Sequence, residues 1–187
     1  MSEILGYLAV VLPADVSADA KLLALQCALR MNAHMQVTLP TGMLRSLRIN
    51  AVAACHELER TRWLSTVDGP GAATFTANLR DTTLLAQSPA RPDRRRAADW
   101  ALRSGCPAWT GSAEPLLRLH AIYLTAHSDP SSRQGLSECD RMIRDCAMDD
   151  QGLHAALSRL TATGILAEWQ ICPASGDVHW TLARRLG

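Results

Sequence analysis

The chain has 187 residues, of which 48% are hydrophobic and only 4% aromatic, and its net charge is +1. That length allows one domain or two small ones, and the apolar share excludes a disordered chain. The charge neither demands nor forbids a polyanionic partner, and the basic side chains are arginines apart from Lys21.

Residues 4–12 form an apolar run too short to span a bilayer, and no basic leader segment precedes it. The run points to a cytoplasmic chain with no membrane partner. It has no partner in the unit that follows, so it is a candidate subunit interface, and a homodimer is the expectation. Asp15 to Asp19 offer helix caps ahead of Leu22, Leu25 and Leu29, which recur at helical spacing. Residues 37–40 lead into a short helix over 41–47, with Pro40 suited to its first turn. Asn50 caps a helix over 51–60. Residues 63–67 and 72–79 read as strands around the turn Asp68-Gly69-Pro70-Gly71.

The second half repeats this order. A long apolar helix over 114–126 precedes a loop at 128–132, and a helix is predicted over 136–146 with Met142 and Ile143 on its apolar side. Asp149 or Asp150 caps a third helix to about Thr161, which Gly164 stops. Strands follow over 165–171 and 178–182, joined by a turn at 173–177. One unit of roughly 70 residues thus occurs twice, in architecture rather than in identical letters. The division is a first domain over 1–85, a basic and helical linker over 86–112, and a second domain over 113–187. Net charge is zero over 1–85, +3 over 86–112 and −2 over 113–187. Arg94, Arg95 and Arg96 make the linker a candidate phosphate-contacting element, with a solvated helix carrying Trp100 as the plainer alternative.

The six cysteines are scattered without a C-x-x-C pair and read as small buried hydrophobes, and the histidines lack metal-ligand spacing. No metal, cofactor or catalytic residue is expected. Glycine-rich phosphate loops, nucleophile elbows and paired catalytic carboxylates are missing from the sequence, which points away from an enzyme.

Residues 44–64, with Arg45, Arg48, Asn50 and Arg60, resemble the helix-turn-helix and first strand of winged-helix regulators. Residues 152–166, with Leu153, Leu157, Leu160 and Gly164, resemble the recognition helix, turn glycine and first wing strand of MarR- and GntR-like bacterial DNA-binding domains. The resemblance implies a mainly α chain with small β content (α+β), built as two winged helix-turn-helix domains in tandem. It also implies a transcriptional regulator that places a recognition helix in the major groove of double-stranded DNA.

In the first candidate helix Ala51, Cys55 and Leu58 share one face, and the opposite face carries Asn50, Ala53, His56, Glu57 and Arg60. Asn suits adenine, Arg guanine and Glu cytosine, while the small Ala53 permits close approach. Arg45, Arg48 and Arg62 flank this face as phosphate contacts. In the second helix Leu153, Ala156, Leu157 and Leu160 form the core stripe, and Gln151, His154, Ala155, Ser158 and Arg159 face outward. Asp149 and Asp150 at its start suit the helix dipole but repel phosphates. Neither turn between paired strands carries a basic tip. A second function therefore stays open: a non-enzymatic adaptor whose tandem units, the acidic second one above all, grip a protein partner.

Overall fold

The computed structural model describes residues 1–104 and 114–183. Cys106, the end of the expected linker and residues 184–187 lie outside the described residues. The chain is an α+β protein with two antiparallel three-stranded sheets, and it divides into Glu3–Leu102 and Arg103 onward.

The first unit contains α1 (Ser2–Val11), α2 (Ala18–Arg30), β1 (Gln36–Pro40), α3 (Thr41–Leu47), α4 (Ala51–Arg60), β2 (Leu64–Asp68), β3 (Thr74–Leu79), α5 (Thr83–Gln87) and α6 (Arg91–Ser104). The sheet order is β1-β3-β2. Helix α2 is buried on every side, with Leu22, Leu23, Leu25 and Leu29 in the core. Burial of each such side chain contributes roughly 1.5–3 kcal/mol. Ser17 caps this helix by accepting from the Ala20 N–H.

The second unit contains α7 (Pro115–Ala126), β4 (Gln134–Glu138), α8 (Cys139–Cys146), α9 (Asp150–Ala162), β5 (Leu166–Ile171) and β6 (Asp177–Leu182), with sheet order β4-β6-β5. Helix α7 is its central helix, contributing Leu117, Leu119, Ile122 and Leu124 to the core.

Each unit repeats the same pattern of internal hydrogen bonds and backbone geometry as well as the same element order. Asn32 and Asp129 each accept two backbone N–H bonds through Oδ1 in the turn before the first strand. Met35 and Arg133 follow with φ of 59° and 61°, and their carbonyls accept from Leu79 and Leu182. Arg48 and Ala147 close α3 and α8 with φ of 50° and 57°. Asn50 and Asp149 cap α4 and α9 through Oδ1. Arg62 and Gly164 close those helices with φ of 59° and 71°, and in both the next N–H returns to a leucine carbonyl, Leu58 or Leu160.

That last pair carries a prediction. An L side chain in the left-handed region is strained by about 1–2 kcal/mol, and the second unit places glycine there. Arg62→Gly is expected to raise the stability of the first unit by about 0.5–1 kcal/mol, the relief being partly offset by glycine's greater unfolded entropy. Urea midpoints of the two proteins check it; a lowered midpoint would mean that the Arg62 side chain makes contacts outweighing the strain.

Four expectations need correction. Residues 37–40 are not merely a lead-in: β1 buries Val37 and Leu39 and pairs with β3. The predicted helix over 136–146 is split, because Leu136 to Glu138 belong to β4 and the helix starts at Cys139. Residues 4–12 are no free interface: Ile4, Leu5, Leu8 and Leu12 are buried within the chain, and the Tyr7 hydroxyl donates to Asp81 at 2.7 Å. Cys27, Cys55 and Cys146 are buried, but Cys139 and Cys172 are only half-buried. Among the described residues no helix is long and apolar enough to cross a membrane.

Candidate functional site

Helix α4 buries Ala54, Cys55 and Leu58, so its inner face includes Ala54 where Ala51 was expected; Ala51 is half-buried. Its outer face exposes Val52, Ala53, His56 and Arg60. Val52 is 54% exposed on the first turn, an apolar side chain with no core role. Its place on the helical wheel, about 40° from His56 and about 120° from Leu58, was the available signal for it.

Two residues expected on this face have internal partners. The Asn50 side chain accepts from the Ala53 N–H at 3.1 Å, and its own N–H donates to Asp19 at 2.6 Å. Glu57 is half-buried and accepts from the Ser17 N–H at 2.8 Å, bracing the start of α2. Both residues therefore serve the joint between α2 and α4, each with one side-chain oxygen already engaged. Glu59 is similarly engaged: hydrogen bonds from Thr66 hold its carboxyl below the usual carboxylate range.

The cationic flank is differently placed. Arg45, Arg48 and Arg62 are exposed, and none forms an ion pair among the described residues. Arg60 lies 3.9 Å from Asp15 with both side chains largely exposed, and His56 lies 3.7 Å from Glu59. Exposed pairs of this kind are worth roughly 0–1 kcal/mol and yield readily to a stronger anion.

The three arginines of the middle stretch have separate fates. Arg94 is 4% exposed and is not available to a phosphate. Its guanidinium donates to the carbonyls of Ala28, Met31 and Pro89 at 3.1–3.3 Å, satisfying acceptors at the end of α2. Arg95 is exposed and forms no ion pair among the described residues, and Arg96 is exposed but pairs with Asp93 at 2.8 Å. Helix α6 is held further by Gln26, which donates to the Ala98 carbonyl, and by the Arg30–Asp99 pair at 2.6 Å. It packs as part of the first unit through Leu102.

Helix α9 buries Leu153, Ala156, Leu157 and Leu160 and exposes Gln151, His154, Ala155, Ser158 and Arg159. Its outer face is more occupied than that of α4. Arg159 is ion-paired with Glu114, and His154 meets the Trp169 ring edge-on at 5.4 Å. Asp149 is the cap, and Asp150 is exposed beside it. The hairpin tips expose Asp68 and Gly71 in one unit and Ser175 and Gly176 in the other. Among the described residues no group of three or more His, Cys, Asp and Glu side chains could hold a metal ion.

No protein family, curated protein or solved structure matches this chain.

Proposed function

We propose that the chain consists of two winged helix-turn-helix domains in tandem and binds double-stranded DNA sequence-specifically, as a bacterial transcriptional regulator acting in the cytoplasm. The repeated order helix, strand, helix, helix, strand, strand, with the first strand beside the last, supports the fold reading. The observation that carries the function is local to the first unit. A capped helix exposes Val52, Ala53, His56 and Arg60, and exposed arginines at positions 45, 48 and 62, with no ion pair among the described residues, flank it in the chain. In this reading α4 enters the major groove, Arg60 pairs with a guanine edge, and Val52 and Ala53 meet thymine methyl groups. The flanking arginines contact phosphates and fix the register.

A second reading applies to α9. Asp149 and Asp150 at its start, the neutralised Arg159 and the net charge of −2 over 113–187 favour a protein partner, a second copy included, over a phosphate backbone. The first unit then reads DNA while the second assembles the complex.

Selection from a random-duplex pool tests the groove reading. The wild type is expected to enrich one motif, and Arg60→Ala to lose preference at a single position, by about 1–3 kcal/mol or roughly 5- to 150-fold. Failure of the wild type to enrich any sequence, or an unchanged motif with Arg60→Ala, would overturn it.

A further inference from the structure

A groove of about 320 Å³ runs along the free edge of β1 in the first unit, between that strand, the end of α2 and the start of α6. Arg30, Arg91 and Arg95 line it with Gln36, Thr38 and Met43, and no carboxylate is among its lining residues. Asp99 pairs with Arg30, but Arg91 and Arg95 are exposed and form no ion pair among the described residues. The groove is therefore built for an anion.

The strand edge restricts which polyanion fits. Met35 and its alternates face β3, since the Met35 carbonyl accepts from Leu79, so Gln36, Thr38 and Pro40 turn their main chain outward. Asn32 occupies both main-chain groups of Gln36, donating to its carbonyl at 2.8 Å and accepting its N–H through Oδ1 at 3.0 Å. Pro40 has no N–H to give. An acidic peptide adding as a fourth strand would find only Thr38 to pair with. A phosphate backbone needs guanidinium donors rather than a strand ladder. The Pro40 end of the groove also lies at the hairpin tip: Pro40 pairs with Thr74, and the Thr41 hydroxyl donates to the Ala72 carbonyl.

We infer that this groove carries the phosphate backbone of duplex DNA flanking the bases read by α4, with Arg91 and Arg95 as the contacts, an inference that rests on the DNA reading above. Helix α6 thereby widens the footprint of the first unit beyond the helix-turn-helix itself.

The experiment is binding of a random-sequence duplex to the full chain across a salt series, for the wild type, Arg91→Ala/Arg95→Ala, Arg91→Lys/Arg95→Lys and Arg80→Ala. Arg80 is exposed, forms no ion pair among the described residues and does not line the groove. Each lost phosphate contact lowers the slope of log K against log salt by about 0.9, so the double alanine variant is expected to lower it by about 1.8. The lysine variant keeps the charge and is expected to retain most of the slope, and Arg80→Ala to leave it unchanged. Wild-type binding with an unaltered slope in the double alanine variant would overturn the groove alone. No retention of duplex by the wild type would overturn the DNA reading and the groove with it.

Discussion

Replacing Arg94 by alanine is expected to lower the stability of the first unit by about 2–3 kcal/mol and to loosen α6 from α2. The guanidinium donates to three carbonyls, two of them at the end of α2, and it sits almost entirely out of water. Hydrogen bonds with a charged partner are worth about 1.5–3 kcal/mol each, and an orphaned buried acceptor costs about 1–3 kcal/mol. Desolvation opposes this: burial, and then the charge of Arg91, hold the Arg94 pKa below the usual arginine value. The opposing effect is why the expected loss is nearer one strong hydrogen bond than three. Arg94→Lys is expected to recover little, because one ammonium does not reproduce the planar fork. Urea midpoints and amide exchange over 91–103 measure both effects. Unchanged stability with weakened duplex binding would return Arg94 to the surface role that its neighbours in sequence suggest.

Acid is expected to destabilise the second unit well above the ordinary carboxylate range. His120 is fully buried, with Nδ1 against the Leu116 carbonyl at 2.6 Å and Nε2 against Met148 Sδ at 3.2 Å. Burial pulls its pKa down to about 4, partly countered by the Leu116 hydrogen bond. The folded form therefore refuses a proton that the unfolded chain accepts at about 6.5. No stability is lost above that pH. Below it stability falls by up to about 1.4 kcal/mol per pH unit, until the folded histidine protonates too, a total of about 3 kcal/mol. His127 acts in the same direction, its pKa lowered by burial. Asp145 acts oppositely, since burial raises its carboxyl and protonation on acidification favours the folded form. His120→Leu is expected to flatten the dependence between about pH 6.5 and 4.5, as measured by urea unfolding at a series of pH values. An equally steep dependence in that variant would place the acid sensitivity elsewhere.

Capping and core periodicity made much of the fold legible in the sequence. Asn50, Asp149 and Gly164 announce helix ends by local chemistry, and Leu153, Leu157 and Leu160 by spacing. The first strand of each unit was hidden because its evidence is non-local. Strand β1 offers two inward side chains and a proline, and only pairing with β3 far along the chain makes it a strand. Strand β4 shows no apolar alternation at all. A Cβ at Gly135 would meet Trp180 Cε2 at 2.2 Å, so the indole takes the space that a strand side chain would fill. The candidate site was legible in its exposed arginines but not in its internal uses. Glu57 and Arg94 are polar side chains on otherwise solvent-like stretches, recruited by backbone groups of other elements. Periodicity assigns a face; it does not reveal which main-chain donor or acceptor lies opposite. The groove beside β1 was equally unreadable, because Arg30 and Arg91 come together only when α6 packs on α2.

Retention of genomic and random duplexes by the full chain across a salt series is the decisive test of whether the first unit binds duplex DNA. The wild-type chain is expected to be retained at low salt, to lose affinity steeply as salt rises, and to bind a genomic site more tightly than random sequence. No retention of any duplex at low salt would contradict it and leave the exposed faces of α4 and α9 to protein partners.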